Sequence, residues 1–257
     1  MPPTWLQKPK AVKPYSQLAY IYDYVMRHVS YSNWALYLEK LFQKADVKVH
    51  RVLDISCGTG SLLFKIQDLN YCVAGMDSCK EMLHVAHRKA RTRSRLLPLW
   101  VGSMDEFGVH KLFHAVICTY DSINYCMDDN TVVSTMQHVA HAMCSGGVFI
   151  FDICTEKNST KNFQRYYETD ETDKFRYSRI SYYQRNRRIQ MNKFLIKWKS
   201  DSSRSFLEIH RQQIFRLDEM KRLIPQESFQ TVGIYDGFSL RPGSEKSNRV
   251  HFVLKKM

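Results

Sequence analysis

The segment from residue 52 to residue 60, with the sequence VLDISCGTG, constrains the fold of this chain more than any other part of it. An apolar strand-like stretch runs directly into a turn that holds Gly58 and Gly60, and Leu62, Leu63 and Ile66 follow at helical spacing. Glycines at a strand-to-helix junction allow a sharp turn and let the backbone approach a ligand closely. Because ligands bind at the carboxyl ends of strands in open α/β sheets, this segment predicts a binding loop at one edge of a parallel sheet.

Strand and helix patterns alternate through the first two thirds of the chain. Apolar strand patterns cover residues 51–54, 71–76, 96–101, 115–119 and 147–151, with helical patterns between them and a helix predicted over 129–143. Strands that are apolar almost throughout are typical of a parallel sheet covered by helices on both faces. Ser78 and Glu81 form an S-x-x-E pattern, which predicts a capping box at the start of the helix after the second strand.

The flanking segments follow other patterns. Residues 1–14 are rich in proline and lysine and are expected to be irregular, whereas residues 15–44 show helical spacing. Polar and apolar residues alternate over 175–184, 189–199 and 204–215, as in half-exposed antiparallel strands. A short helix over 217–224 and strands over 231–235 and 250–254 follow. We therefore expect an antiparallel lobe inserted into an α/β core.

Charge and cysteine content narrow the class of protein. The net charge of +13 favours an anionic partner such as RNA, DNA or a phosphorylated metabolite. The seven cysteines are odd in number and form no C-x-x-C pair, which predicts neither a disulfide framework nor a zinc site. The sequence has no apolar stretch of signal-peptide type and none that approaches the ~18 residues of a membrane span. We expect a cytoplasmic protein with no bound metal and no membrane contact.

Two other nucleotide-binding folds also use glycine-rich loops. A dinucleotide fold needs G-x-G-x-x-G, but Ser61, Leu62 and Leu63 follow Gly60, and a P-loop needs G-K-[ST], which is absent. Asp77 stands at the end of the second strand, where a carboxylate can accept hydrogen bonds from both hydroxyls of a ribose. The loop and this carboxylate together predict a site for a nucleoside-like ligand.

Residues 15–155 resemble the class I S-adenosylmethionine-dependent methyltransferases, and the tail from about residue 206 resembles them more loosely. Residues 54–60 are similar to the family's first motif, whose loop wraps the methionine end of the cofactor, and Asp77 is similar to its acidic ribose ligand. Residues 102–105 are similar to the segment that contacts adenine, although Ser103 stands where the family usually has Asp. Residues 118–125 and 145–152 are similar to the fourth motif and to the turn and strand after it.

The resemblance implies an α/β fold with S-adenosylmethionine as cofactor. Its core is a seven-stranded Rossmann-like methyltransferase sheet, mostly parallel with an antiparallel last strand, to which an inserted antiparallel β lobe and an N-terminal helical cap are added. The expected parts are an N-terminal tail and helical cap (1–45), a cofactor-binding core (46–156), the lobe (157–216) and the C-terminal part of the core (217–257). Residues 15–23 and the lobe resemble the cap and lobe of small-molecule methyltransferases, among them aminosugar N-methyltransferases and their bacterial relatives.

The candidate site residues follow from these motifs. The cofactor-binding candidates are Tyr22, Asp54, Ser56, Cys57, Gly58, Gly60, Asp77, Ser78, Met82, Ser103, Met104, Thr119 and Tyr120. The candidates for catalysis are Asp121, Tyr125 and His210, with Asn124 beside the substrate. Asp121 and Asn124 also suit a turn, Tyr22 suits an apolar core and a lone His is often structural, so each has a structural alternative.

Basic residues cluster in two places. Residues 87–95 end a helix that begins at the ligand edge, so they are expected to form a solvated helix end on the opposite face. The cations expected nearer the site lie on the lobe: Arg185, Arg187, Arg188, Lys193, Lys197 and Lys199.

The predicted activity is methyl transfer to a small molecule, with an amine as the leading acceptor. The first alternative is an RNA methyltransferase, which the net charge favours. The N-P-P-[YF] motif that marks many methyltransferases of base amino groups is, however, missing after the fourth strand. The second is a non-catalytic protein or partner subunit that binds S-adenosylmethionine. The chain is expected to act as a monomer or a homodimer.

Overall fold

The computed structural model describes residues 8–201 and 204–257 of the 257-residue chain. The strands are β1 (Lys10–Val12), β2 (Arg51–Asp54), β3 (Cys72–Asp77), β4 (Leu99–Val101), β5 (Phe113–Cys118), β6 (Met143–Cys154), β7 (Arg165–Glu171), β8 (Phe175–Gln184), β9 (Ile189–Trp198), β10 (Ser205–Gln213), β11 (Phe229–Asp236) and β12 (Arg249–Lys256). The α-helices are α1 (Tyr22–Val25), α2 (Tyr31–Lys44), α3 (Ser61–Asp68), α4 (Lys80–Thr92), α5 (Asp129–Ala142), α6 (Glu156–Asn162) and α7 (Leu217–Leu223).

The larger sheet has seven strands in the order β11-β12-β6-β5-β2-β3-β4. Strands β2 to β6 run parallel, and β12 runs antiparallel to both of its neighbours, β6 and β11. Consecutive residues of a strand point to opposite faces, so Ala115 and Ile117 pack towards α2 and α3 while Val116 packs towards α5 and α7. Helices thus cover both faces of the sheet, and the predicted Rossmann-like methyltransferase architecture is confirmed.

The second sheet has five strands in the order β1-β10-β9-β8-β7. The sequence indicates three of them and misses β7, whose alternation is carried by Tyr, Thr and acidic residues rather than by aliphatic ones. The expectation that residues 1–14 are irregular is wrong for Lys10–Val12, which pairs in parallel with Phe206–Glu208 of β10. Residues 1–7 lie outside the described part of the chain. Three residues between prolines carry no periodic signal, so only the pairing itself reveals β1.

The helical spacing over residues 15–44 corresponds to separate helical segments. A 3₁₀ turn over Leu18–Tyr20 and the short α1 come first, and α2 begins separately after Ser30, whose hydroxyl accepts the N–H of Asn33. The apolar side chains of the first part pack on β8 and β9 of the five-stranded sheet. This cap therefore joins the two sheets above the carboxyl ends of the core strands.

The predicted capping box before α4 is also wrong. The N-cap residue is Cys79 and makes no side-chain capping bond; instead, Asp77 Oδ1 accepts the N–H of Cys79 at 2.8 Å. A carboxylate at the end of β3 performs the role that the S-x-x-E pattern assigned to Ser78. The boundaries of the four predicted parts of the chain stay a prediction. Among the described helices, none is long and apolar enough to cross a membrane.

Candidate active site

The glycine loop connects β2 to α3 at the carboxyl edge of the larger sheet. Gly58 and Gly60 have φ angles of +53° and +74°, in the left-handed region that favours glycine, and Gly60 is the N-cap residue of α3. The loop is held by hydrogen bonds from Cys57 N–H to Met76 O and from Gly60 N–H to Cys57 O. Nothing lies within 4 Å of where a Cβ would stand on Gly58, so a ligand can pass directly over this residue.

Replacing Gly60 with Ala is expected to lower the free energy of unfolding by about 1–2 kcal/mol, the cost of a left-handed non-glycine residue. The added methyl would also lie 3.3 Å from Leu97 Cδ2. Urea unfolding measures the loss. The matched control is Gly108→Ala, where the backbone is not left-handed and nothing lies within 4 Å of the added methyl. Equal stability of the two variants would contradict the assigned conformational role.

An open groove of about 900 Å³ extends from the glycine loop along the ends of β3 and β4. The predicted cofactor residues that line it are Tyr22, Ser56, Gly58, Asp77, Ser78, Met82, Ser103 and Met104. The opposite wall is formed by the N-terminal residues 10, 12–17 and 22. Ser103 donates its hydroxyl proton to Asp105, so its side chain is already engaged.

Asp77 lies where β3 enters this groove. Its Oδ2 accepts the N–H of Gly58 at 2.8 Å, and its Oδ1 accepts that of Cys79. Burial raises the pKa of Asp77, while these backbone bonds oppose the rise. Each carboxylate oxygen has more than one acceptor site, so Asp77 can also accept the two hydroxyl protons of a ribose.

A smaller cavity of about 220 Å³ lies on the other side of the loop, between the core and the five-stranded sheet. The predicted residues that line it are Tyr22, Asp54, Ser56, Cys57, Gly58, Thr119, Tyr120, Asp121, Tyr125 and His210. Groove and cavity share Tyr22, Ser56, Gly58 and Tyr125, so they adjoin across the loop. Of the predicted residues, all of which are described, Gly60 and Asn124 line neither space, and the contribution of Gly60 is conformational.

Asp54 ends β2 at the floor of the cavity. The side chain is 2% exposed, and its Oδ1 accepts the N–H of Ser56 at 3.0 Å. Burial raises the pKa of Asp54 to about 7. The pKa of an Asp in an unfolded chain is ~3.9, so between pH ~4 and ~7 the unfolded chain binds fewer protons at this group than the folded chain does. The contribution of Asp54 to the free energy of unfolding therefore falls as pH rises through this window.

If Asp54 receives the ammonium group of the cofactor's methionine end, directly or through water, its raised pKa predicts that cofactor binding depends on pH. Affinity for S-adenosylhomocysteine should rise about tenfold from pH 6 to pH 8, because the carboxyl group loses its proton over that range. Calorimetry at both pH values measures this. Asp54→Asn should bind more weakly and with little pH dependence; a variant that keeps the full wild-type dependence would contradict the assignment.

A strained turn follows β5 and carries Asp121. Tyr120 and Asp121 have φ angles of +63° and +52°, and both of their N–H groups donate to the buried carboxylate of Asp152, at 2.7 and 2.8 Å. The carboxylate of Asp121 accepts from Arg249 at 2.6 Å and from Gln212 at 2.5 Å. Asp121 is therefore bound on both oxygens and acts by position rather than as a free base.

Arg249 was missed by the sequence reasoning, although it is central to this turn. Its guanidinium is bound by Asp121 and Asp152 and lies over the ring of Tyr120, 4.9 Å from the centroid. Asn124 has a structural role, since it bonds the backbone of Gln213 and Cys154 and is fully buried. No short motif links Asp152 with Arg249; they meet because β12 pairs with β6.

Tyr125 and His210 belong to a chain of hydrogen bonds that runs from the cavity to the buried Glu208. The hydroxyl of Tyr125 lies 3.0 Å from Nδ1 of His210 and 2.7 Å from the hydroxyl of Tyr15. Nε2 of His210 lies 3.1 Å from Oε2 of Glu208. The sequence reasoning named Tyr125 and His210 but not Tyr15 or Glu208; the two-residue spacing of Glu208 and His210 places them on one face of β10.

Glu208 also fastens the N-terminal cap. Its carboxylate accepts the backbone N–H groups of Tyr15, Gln17 and Leu18 at 2.7, 2.6 and 2.9 Å. Burial raises the pKa of Glu208, but His210 and these N–H groups bring it below its ordinary value, so the carboxylate is ionised. An ionised carboxylate accepts a hydrogen bond from the Nε2–H group, and Nδ1 of a neutral His210 is then the acceptor of the imidazole.

Amide side chains of the lobe complete the cavity wall. Gln190, Asn192 and Gln212 project from adjacent strands, and all three are buried. The amide nitrogen of Gln190 donates to the carbonyls of Tyr182 and Met191, whereas its Oε1 is buried without a partner among the described residues. A buried acceptor without a donor costs free energy, so this wall suits a ligand that brings a hydroxyl or amine proton.

The basic residues are placed differently from the prediction. Arg185, Arg187, Arg188, Lys193, Lys197 and Lys199 do not line the cavity, whose described cations are Arg179 and Arg249. The helix end over residues 87–95 is mostly exposed, except that Lys89 turns inward and binds Asp23 at 2.8 Å and Ser61 at 2.6 Å. Thr59 of the glycine loop also donates to Asp23, at 2.6 Å, so α1 is tied to the loop.

Within residues 8–201 and 204–257, no group of three or more His, Cys, Asp or Glu side chains is arranged to bind a metal ion.

Comparison with known proteins connects this site to an activity. The family profile described as a methyltransferase domain matches residues 52–147. A protein named as a methyltransferase in Geobacillus sp. strain WCH70 is 26% identical over 246 residues, which cover 94% of this chain and 99% of that protein. The dTDP-3-amino-3,6-dideoxy-alpha-D-glucopyranose N,N-dimethyltransferase of Streptomyces fradiae is 27% identical over 138 residues, 53% of this chain and 52% of that enzyme.

A solved structure shares the fold over nearly the whole chain. The S-adenosylmethionine-dependent methyltransferase of Clostridium acetobutylicum ATCC 824 has a TM-score of 0.78 at 20% identity and covers 94% of this chain and 98% of its own. The matched profile includes the glycine loop, Asp77 and the Tyr120–Asp121 turn. The chain therefore contains a methyltransferase domain over residues 52–147 and is a methyltransferase that uses S-adenosylmethionine as its cofactor.

Proposed function

We propose that the protein methylates an amine on a small, hydroxyl-rich molecule of the aminosugar kind. The observation that carries this proposal is the cavity wall made of Gln190, Asn192 and Gln212 beside Tyr125 and His210. A wall of buried amides suits an acceptor with several hydroxyl groups, and the free Oε1 of Gln190 supplies an acceptor for one of them. The N,N-dimethyltransferase of S. fradiae, named for an amino-dideoxy sugar, supports the same class of acceptor.

The cofactor residues divide between the two spaces. We assign the ribose and adenine ends to the groove, with Asp77 as the ribose acceptor and Met82 and Met104 against the adenine. We assign the methionine end to the glycine loop, next to Asp54, since the space over Gly58 is open. The bound cofactor supplies a sulfonium methyl group that is already activated, so the protein's main task is to align the acceptor nitrogen with it.

The hydrogen-bond chain offers a route for the proton that the amine must lose. The hydroxyl oxygen of Tyr125 accepts the amine proton while the Tyr125 hydroxyl proton passes to Nδ1 of His210. The imidazolium that results is stabilised by the ionised Glu208 at Nε2. Burial raises the pKa of Tyr125, which keeps its hydroxyl protonated before the reaction. Asp121 fixes the turn that carries Tyr120 and leads into Tyr125.

The proposal also covers the cellular compartment and the oligomeric state. All seven cysteines are free thiols, which supports a reducing compartment such as the cytoplasm. The chain is proposed to act as a monomer or a homodimer.

A labelled-methyl screen tests the proposed function. The purified protein is incubated with S-adenosylmethionine that carries a labelled methyl group, together with aminosugars, aliphatic diamines, aromatic amines or total RNA. We expect label in an aminosugar and none in RNA. Label that enters RNA alone would replace the proposal with an RNA methyltransferase, and binding of the donor without any transfer would favour the non-catalytic alternative.

A further inference from the structure

Arg179 lines the smaller cavity, and it has no role in the methyl transfer proposed above. The residue belongs to β8, is half-buried and lines the same cavity as Tyr125 and His210. The other cation of this cavity, Arg249, is bound by Asp121 and Asp152. Arg179 forms no ion pair with any carboxylate in residues 8–201 and 204–257.

The guanidinium of Arg179 is held in a fixed orientation. Its Nε donates to Ser181 Oγ at 3.1 Å, and its Nη2 donates to Asn192 Oδ1 at 2.9 Å. Aromatic rings surround it, with centroids 5.0, 5.4 and 5.5 Å from Cζ, and these belong to Phe163, Tyr166 and Phe194. Such contacts orient the planar group, so little of its conformational freedom is left to lose when a ligand binds.

The carboxylate in register with Arg179 is committed elsewhere. Glu168 on β7 pairs with Arg179 across the strands, but its oxygens accept the hydroxyl protons of Tyr166 and Tyr177. Nη1 of Arg179 has no acceptor among the described residues, and part of Nη2 is also available. A half-buried cation with unused, pre-oriented donors is complementary to an anion with two oxygens.

We propose that Arg179 anchors an anionic group, a phosphate or a carboxylate, on the methyl acceptor. The inference rests on the proposed function, because it places the acceptor amine at Tyr125 and the anion at Arg179 within one cavity. It narrows the acceptor from a polar amine to an amine that also carries a negative charge. Neutral aminosugars would then bind poorly compared with their phosphorylated or acidic counterparts.

The test measures anion binding without methyl transfer. Inorganic phosphate and acetate are each titrated into the S-adenosylhomocysteine-loaded protein at low ionic strength, followed by calorimetry. We expect wild type to bind at least one of them at least tenfold more tightly than Arg179→Gln, because a bidentate charge-assisted contact is lost. Preference for phosphate over acetate, or the reverse, identifies which anion the acceptor carries.

Two further variants control the comparison. Arg176→Gln removes an exposed cation of the same strand from the opposite face, and it should bind both anions as wild type does. Arg179→Lys keeps the charge without the two-pronged geometry and should bind with intermediate affinity. Thermal unfolding of each variant shows that it is folded.

Equal affinity of wild type and Arg179→Gln for both anions, undetectable binding included, would overturn the proposal. This outcome is separate from the fate of the proposed function. If the protein does not bind the anions, the methyl-transfer screen can still identify an acceptor. If the screen finds no acceptor, the anion titration still measures directly whether Arg179 binds an anion.

Discussion

Asp152→Asn is expected to lower the free energy of unfolding by about 3 kcal/mol or more, a large share of the total stability of a domain. The carboxylate is fully buried, accepts two backbone N–H groups and binds Arg249. An amide of the same shape has one acceptor oxygen and no charge, so it leaves the half-buried guanidinium of Arg249 with a single carboxylate partner. The left-handed turn at Tyr120 and Asp121 loses one of its two fixed bonds at the same time.

Urea unfolding with a fitted m-value measures this loss. The matched control is Asp218→Asn, which removes an exposed ion pair with Arg222 at 3.6 Å, and there the cost should be below about 1 kcal/mol. A loss at Asp152 no greater than the loss at Asp218 would show that the Asp121–Arg249–Asp152 group does not hold the turn.

Tyr125→Phe is expected to reduce kcat by about 100-fold, within the range that a positioned acid or base contributes. The substitution removes one hydroxyl that joins Tyr15 to His210 and leaves the ring in place. The amine proton then has no direct route to His210. Affinity for S-adenosylhomocysteine should stay close to that of wild type, because the proposed role is on the acceptor side.

The control for this variant is Tyr183→Phe. Tyr183 lies on β8 of the lobe and is buried, and its hydroxyl donates to Glu156 at 3.1 Å, outside the cavity. Steady-state kinetics on the acceptor found in the labelled-methyl screen compare the two. Equal kcat for Tyr125→Phe and wild type would exclude the proton route, and equal losses in both variants would indicate a general effect of removing a tyrosine hydroxyl.

The parts of the fold that could be predicted are those with a local signal. The glycine loop is one continuous segment, and apolar strands repeat at short range, so β2, β3, β5 and β6 were recognisable from the sequence. Asp77 could be placed because it directly follows an apolar strand. Each of these inferences needs only neighbours in the chain.

The parts that were missed depend on contacts between distant segments. Arg249 binds Asp121, from which it is separated by 128 positions in the sequence, and Glu208 binds Tyr15, from which it is separated by 193 positions. Strand β1 is only three residues long and exists through its pairing with β10. The cap of α4 was wrong for a similar reason, because the bond to Cys79 comes from the end of β3 rather than from the S-x-x-E pattern. Single-chain periodicity carries no information on which side chains such folding brings together.

Calorimetric titration of S-adenosylhomocysteine into wild type and Asp77→Ala tests the central claim most directly, namely that the groove between the glycine loop and Asp77 holds the cofactor. We predict one binding site in wild type and at least tenfold weaker binding in Asp77→Ala, since a charge-assisted hydrogen bond contributes about 1.5–3 kcal/mol. Wild-type protein that does not bind, or an Asp77→Ala variant with unchanged affinity, would contradict the account.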